Sequence, residues 1–147
     1  MTTPVFPLHS AEAQQLIGRT FSMSRTVGEF DVLSFAGVTG DLAANHTDHD
    51  YMLGHGFEGR IAHGVLLLGY TSSLSTRVAD QIDGAVVSLG YDRVRFTSPV
   101  VMGTTITSHY TVREIDTHKR RIISEAVVKI AATGTTALVA THIMKAV

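Results

Sequence analysis

The segment over 63–82, HGVLLLGYTSSLSTRVADQI, constrains the fold more than any other part of the chain. Its periodicity predicts a helix, and the apolar run over 65–68 covers every side of the first half of that helix. A helix without a polar face must be covered by the rest of its domain. We therefore expect a helix over 63–82 that lies inside the fold.

The chain after Gly84 changes character and predicts strands. Val, Ile, Thr and aromatic residues are concentrated in AVVSLGYDRVRF, TTITSHYTVREI, RRIISEAVVKIAA and TTALVATHIMKA, with turn-like breaks between them. An earlier stretch, RTFSMSRTV, predicts one more strand. Short connections predict an antiparallel meander. An antiparallel sheet wrapped around a central buried helix is the α+β hot-dog fold, which is the expected architecture.

A short amphipathic helix is expected before the middle of the chain. Thr26 and Glu29 have the spacing of a capping box, and Gly37 and Gly40 are placed to end the helix. Its expected apolar face consists of Phe30, Leu33, Phe35 and Val38.

Length and composition limit the class of protein. The 147 residues fit one domain over 18–147 preceded by a loose arm over 1–17. A net charge of −1 gives no electrostatic reason to expect nucleic acid as a partner. The absence of cysteine excludes disulfides, thiol nucleophiles and cysteine-based zinc sites, and is compatible with a cytoplasmic protein. We expect neither a secretory signal nor a membrane segment.

The stretch GDLAANHTDHDYMLGHGFEGRIAHG, over 40–64, holds four of the eight histidines without a helix or strand pattern. A metal site, an acid/base site and a solvated loop are all open interpretations. Imidazole and carboxylate ligands, such as those in HTDHD, suit zinc or iron. No HExxH pattern is present, and the spacing matches no familiar site. The prediction is therefore that no metal is bound.

The acid/base interpretation depends on Asp41 and His46. On a helix they would point about 140° apart, but in a loop their side chains can converge. A partly buried carboxylate beside a histidine can exchange protons with water at neutral pH. If the buried helix begins near Gly64, its first amides point outward and can hold an oxyanion.

These motifs carry a family resemblance. FAGVTGD followed by His46, then GRIAHGVLLLGYTSS and SLGYDRVRFTSPVVMGTTIT, resemble the MaoC-like (R)-specific enoyl-CoA hydratases and dehydratases over 18–147. The resemblance implies that Asp41 and His46 activate one water for addition across the C2=C3 bond of an enoyl thioester. It also implies that the Gly64 amide binds the thioester oxygen, that Ser72 orders the site and that His63 orients the turn. Neither a metal nor a redox cofactor is implied, and the substrate would be an acyl-CoA.

One motif departs from the family pattern, which reads Asp–x–Asn–Pro–apolar–His. Here the same span is DLAANH, so Ala43, Ala44 and Asn45 stand in place of Asn, Pro and the apolar residue. A non-catalytic acyl-binding or partner subunit therefore remains an alternative. An acyl-CoA thioesterase of the same fold is a second alternative, because it would also use a helix-start oxyanion site with a carboxylate. The cations available for coenzyme A phosphates are Arg60, Arg93, Arg95, Lys119, Arg120 and Arg121.

A quaternary structure is also expected. A single sheet around one helix leaves strand edges open, and proteins generally cover such edges. Two-fold dimers are the commonest solution, so a homodimer is predicted.

Overall fold

The computed structural model describes residues 4–147. Its elements in chain order are α1 (Ala11–Gln14), β1 (Thr20–Thr26), α2 (Glu29–Thr39), α3 (Ala44–Thr47), α4 (His49–Gly54), α5 (Gly64–Ala79), β2 (Val86–Phe96), β3 (Thr105–Asp116), β4 (Arg121–Ile130) and β5 (Thr136–Ala146). None of the helices within 4–147 has the length and apolar character needed to cross a membrane.

One antiparallel sheet contains the predicted strands in the order β1-β3-β4-β5-β2, with α5 against it. The predicted α+β hot-dog fold is confirmed. The predicted meander is right only for β3, β4 and β5, because β2 pairs with β5 at the far edge, where Val86 faces Ala146. The reason is that β3 has no free edge for β2, because β1 pairs with one side of β3 and β4 with the other.

Helix α5 is covered on one side only. Leu67, Leu74 and Val78 are buried in the core against the sheet, at the spacing of one helix face. On the other side Val65 is 56% exposed, and Ser72 is also exposed. The expectation that α5 has no solvent-exposed face is wrong for the single chain, because one sheet can enclose only one side of a helix.

Helix α2 differs from its prediction at its start and in its orientation. Thr26 is the last residue of β1, so it forms no capping box with Glu29. Gly28 is the N-cap instead, and its amide donates to Asp31 Oδ2 over 2.9 Å. As predicted, Gly40 ends the helix with a φ of +77°, a conformation that glycine adopts without strain.

The apolar face expected for α2 points largely into solvent. Phe30 is 82% exposed and Val38 is also exposed, whereas Val32 and Ala36 are fully buried. The helix therefore packs through its smaller apolar residues and leaves the larger ones uncovered.

The amino-terminal segment is packed more firmly than expected. Leu8, Ala13 and Leu16 belong to the buried core, and Phe6 forms a bridge to Ile82 just after α5. The expectation of a loose arm is therefore wrong for residues 4–17, while residues 1–3 lie outside the described part. The division into 1–17 and 18–147 stays a prediction.

A buried polar cluster ties the edge strand β2 to the centre of the sheet. His142 on β5 is bonded at both ring nitrogens, with Nδ1 2.7 Å from the Tyr110 hydroxyl and Nε2 2.8 Å from the Ser88 hydroxyl. The ring of Tyr91 stacks on the imidazole at 4.2 Å. Burial lowers the pKa of His142 from 6.5 to about 4, because the interior solvates an imidazolium poorly. The cluster therefore holds β2 with a neutral histidine.

Acidification is predicted to weaken the fold through His142. Between pH 6.5 and pH 4 the unfolded chain holds a proton on this residue that the folded chain does not. The stability that neutral His142 supplies is complete above pH 6.5 and is lost as the pH falls toward 4, by on the order of 2 kcal/mol after allowance for solvent screening. Urea unfolding across this range should show a shallower decline for His142→Gln than for the wild type. The exposed His118→Gln is the matched control, and parallel curves for wild type and His142→Gln would contradict the prediction.

Candidate active site

The segment over 40–64, predicted without regular structure, contains the short helices α3 and α4. Asp48 caps α4, because its Oδ1 accepts from the Tyr51 amide over 2.9 Å. After α4 the chain comes back to α3 and is held there at Ile61, whose amide donates to the Asn45 carbonyl over 3.0 Å. These contacts bring residues from α3 beside the start of α5.

His46 on α3 is buried, and its orientation is fixed by the backbone. Its Nδ1 lies 2.8 Å from the Ile61 carbonyl oxygen. A carbonyl oxygen only accepts hydrogen bonds, so Nδ1 carries the hydrogen in the neutral ring. Nε2 then presents a lone pair that can accept a proton.

His63, the residue before α5, is buried against His46. The two rings are stacked, with centroids 3.6 Å apart and planes 26° from parallel. His63 Nε2 lies 3.1 Å from the Asp41 carbonyl oxygen, so it must be the donor there. Its Nδ1 is buried and has no hydrogen-bond partner in residues 4–147, which fits a lone pair better than an N–H group. His63 therefore ties the turn before α5 to Asp41, and its role in orienting the turn stays a prediction.

Asp41 follows α2 directly, and its carboxyl group faces both imidazoles. Oδ2 lies 4.0 Å from His46 Nε2 and 3.9 Å from His63 Nε2, while Oδ1 accepts from the Ala43 amide over 3.4 Å. The side chain is 51% exposed, so the carboxylate is only half covered in the single chain. A water about 2.8 Å from both Oδ2 and His46 Nε2 would bridge them at an angle of about 90°. The loop thus brings the predicted acid/base pair within reach of one water.

Beside this pair lies a cleft of about 360 Å³. Its lining residues are Asn45, His46, Ile61, Ala62, Gly64, Leu67, Phe96, Thr97, Ser98, Pro99 and Val100. The amides of Leu66 and Leu67 bond to the His63 carbonyl, but within residues 4–147 the Gly64 amide meets no protein acceptor. A side chain at this position would come within 2.7 Å of the Phe96 ring, so only glycine keeps this helix start open to a ligand.

The comparisons with known proteins identify the family. A family model described as a MaoC like domain matches residues 12–135. The chain belongs to the MaoC-like family. An (R)-specific enoyl-CoA hydratase of Rhodospirillum rubrum is 30% identical over 103 residues, which cover 70% of this MaoC-like chain and 69% of that protein.

Two solved structures extend the family relation to the fold. An unliganded R-hydratase from Pseudomonas aeruginosa has a TM-score of 0.73 and 28% identity, with 88% of this chain and 81% of that one covered. An Archaeoglobus protein described as a monoamine oxidase regulatory protein has a TM-score of 0.81 and 27% identity, with 98% and 95% covered. The family predicted from the sequence is confirmed.

Ser72 is not brought to the same place as the other predicted site residues. It lies eight residues beyond Gly64 on α5, which is about 12 Å along the helix axis. It does not line the cleft and is exposed in the single chain. Its predicted role in ordering the site stays a prediction.

The candidate cations divide by position. Those at 119–121 lie at the turn between β3 and β4, where Arg120 lines another cavity beside Asp83, past the end of α5. Helix α5 is about 24 Å long, so this cavity lies at the opposite end of the helix from Gly64. Arg60 and Arg95 immediately precede residues that line the cleft, although a 2.5 Å ion pair holds Arg60 to Glu29.

A metal interpretation meets a specific obstacle in this MaoC-like site. Ligand atoms of Asp41, His46 and His63 lie within 4.8 Å of one another, which is close enough for a metal ion to be considered. His63, however, uses its Nε2 hydrogen in the bond to the Asp41 carbonyl, so that nitrogen has no lone pair to offer. Of the ligands considered in HTDHD, those at 48–50 are not part of this group.

Two groups that contact His46 were not predicted as parts of the site. The Ile61 carbonyl sets the His46 ring, and the Asn45 side chain places Nδ2 3.3 Å from His46 Nε2. Asn45 was visible in the sequence as a polar residue at the family's apolar position. The Ile61 carbonyl left no trace in the sequence, because every residue has a carbonyl.

The hydrogen positions on the two histidines can be measured directly. Nitrogen-15 NMR of the ring nitrogens, recorded well above neutral pH, should show hydrogen on Nδ1 of His46 and on Nε2 of His63, since both face carbonyl oxygens. The exposed His118, assigned in the same spectrum, should show the tautomer mixture of a free imidazole. A His46 signal with hydrogen on Nε2 would contradict the assignment.

Proposed function

We propose that this protein is an (R)-specific hydratase that reversibly adds water across the C2=C3 bond of an enoyl-CoA. The observation that carries the proposal is the 4.0 Å separation of Asp41 Oδ2 and His46 Nε2 beside the cleft that Gly64 lines. Proton acceptors on one side and an open helix start on the other are what hydration of a conjugated thioester needs.

The proposed steps follow from these positions. The water donates one hydrogen to His46 Nε2 and the other to Asp41 Oδ2. As the water oxygen bonds to C3, a proton passes to Nε2, and the Ile61 carbonyl stabilises the imidazolium through Nδ1–H. The π electrons move to the thioester oxygen, where the Gly64 amide and the positive end of α5 hold the enolate. A proton then returns to C2, and the reverse sequence removes water from a 3-hydroxyacyl thioester.

The thioester is proposed to arrive as coenzyme A from the side of Arg60 and Arg95. Both cations are sequence neighbours of residues that line the cleft, whereas those at 119–121 lie beyond the other end of α5. The proposed chemistry uses the chain's own acid, base and backbone amide, with neither a metal nor a redox cofactor.

Substitution of either member of the pair should abolish hydration without loss of the fold. Asp41→Asn removes the negative charge and His46→Gln removes the proton acceptor, so kcat should fall about 10²–10⁴-fold. Loss of enoyl absorbance from crotonyl-CoA measures the rate, and circular dichroism checks folding. Asp50→Asn on α4 and His55→Gln at its C-cap change the same residue types outside the cleft and should keep full activity. An active Asp41→Asn variant would refute the assignment.

The same assay separates the alternatives. A thioesterase of this fold would cleave the thioester without first adding water to the double bond. It would therefore release free thiol, which a thiol reagent detects, before any loss of enoyl absorbance through water addition. A non-catalytic subunit would give neither signal as the purified chain and would require a second, different chain. Rapid loss of enoyl absorbance without thiol release supports the hydratase against both.

We also propose that the working form is a homodimer. The uncovered face of α5 carries Val65 and Ser72, the edge strand β2 exposes Val87 and Leu89, and the Asp41 side chain is half exposed. A second copy across this side would cover the apolar residues and exclude bulk water from the acid/base pair. The exposed Phe30 and Val38 of α2 add to the apolar area that a partner could cover.

Sedimentation at micromolar concentration should give the mass of two chains. Leu89→Lys places a charge on the β2 edge and should shift the population to the monomer and lower activity with it. Lys129→Glu, on the interior strand β4 at an exposed position, is the control and should leave both unchanged. A wild-type monomer that hydrates at full rate would contradict the proposal.

A further inference from the structure

We infer that the Asn45 amide orients the attacking water, a role that rests on the proposed hydration. Asn45 lines the cleft together with His46 and Gly64, and its Nδ2 lies 3.3 Å from His46 Nε2. It is the residue that this chain has in place of the apolar one in the family pattern. A polar side chain is thus placed next to the nitrogen that receives the proton.

The orientation of the amide follows from the backbone. His46 Nδ1 carries the hydrogen that bonds to the Ile61 carbonyl, so Nε2 can only accept. Asn45 must therefore present its NH2 group, which has two hydrogens, rather than its oxygen. The Asn45 carbonyl accepts from the Ile61 amide over 3.0 Å, so Ile61 holds the backbone of Asn45 and the ring of His46 together.

The direct contact between Asn45 and His46 is easily exchanged for water. At 3.3 Å it is longer than the usual range for N–H donors, so a water that donates to Nε2 replaces it at little cost. One amide hydrogen then turns to the oxygen of that water. Asn45 thereby makes contact with the reacting molecule itself.

A count of the hydrogen bonds of this water explains what the amide adds. Its two hydrogens go to His46 Nε2 and Asp41 Oδ2, which leave two lone pairs on the oxygen. With two acceptors alone, both lone pairs are equally open to C3. When Asn45 Nδ2–H occupies one lone pair, the other is left for C3 of the enoyl group, and the new O–C3 bond forms as the proton passes to Nε2.

This arrangement gives a chemical explanation for the chain's departure from the family motif. Ala43 stands where the family has asparagine, so the amide at that position is lost. Two residues later Asn45 supplies an amide at the catalytic nitrogen. The motif DLAANH thus keeps one carboxamide between its acid and its histidine.

Three substitutions test the role, with crotonyl-CoA as substrate and the full-length protein. Asn45→Asp keeps the shape but replaces the donor with an acceptor, and Asn45→Leu restores the family's apolar type. Both should lower kcat about 10- to 100-fold with KM changed less than about 3-fold, because the lost contact orients water and not substrate. Asn45→Gln keeps the NH2 group on a longer chain and should recover part of kcat. All three keep the backbone bond to Ile61, so the melting temperature should stay close to that of the wild type.

The outcomes separate this inference from the function on which it rests. If the wild type hydrates and Asn45→Leu keeps its kcat, the role of Asn45 is refuted and the hydratase stands. A normal rate for Asn45→Leu with a low rate for Asn45→Asp would mean that added charge is harmful, and would also refute the donor role. A raised KM at unchanged kcat would refute it by showing a contact with bound substrate. A wild type that hydrates no enoyl-CoA refutes both.

Discussion

The hydrogen bond from His46 Nδ1 to the Ile61 carbonyl is the contact on which the candidate site depends. Over 2.8 Å it fixes both the ring orientation and the side of the imidazole that holds the lone pair. Ile61 is bonded through both of its backbone groups, because its carbonyl accepts from His46 Nδ1 and its amide donates to the Asn45 carbonyl. These two hydrogen bonds therefore hold this loop of polar residues in a defined position, as the hydrogen bonds between strands do in a sheet. Without that bond the imidazole would be free to turn Nε2 away from Asp41.

The fold supports this contact by ending one helix and starting another at the same place. Helix α2 stops at Gly40 and delivers Asp41, while α5 starts at Gly64 with His63 immediately before it. The bond from His63 Nε2 to the Asp41 carbonyl joins the two ends. The burial of α5 against the sheet then fixes the direction of its first amides. The position of the open Gly64 amide is thus a consequence of core packing.

The elements could be predicted from the sequence because their signals are local. The apolar run over 65–68 and the β-rich stretches after Gly84 each identify an element without knowledge of its neighbours. The place of β2 at the edge beside β5 could not be predicted, since it depends on the pairing of β1 with the edge of β3 that a meander would leave for β2. The predicted orientation of α2 was wrong for a similar reason. Phe30 looks like a core residue in the sequence, but Val32 and Ala36 are the residues that are buried.

The candidate site, like the fold, could be predicted only in part. Asp41, His46, His63 and Gly64 were found from motif spacing and are brought together by the loop. The degree to which Asp41 is exposed could not be predicted, because it depends on what covers the open side of the sheet. Asn45 was noted only as a departure from a pattern. Its contact with His46 depends on side-chain geometry in a loop, which periodicity does not describe.

The close approach of Phe96 to Gly64 has a consequence for the shape of what can react. An aromatic ring stands where any other residue would place its side chain, so the helix start is walled by a flat surface. Under the proposed function, a planar conjugated thioester can slide along that wall and reach the amide edge-on. A branch at the carbon next to the carbonyl would thicken the acyl group and hold it off the ring. Thickness near the carbonyl, more than length, would then limit which acyl groups are admitted.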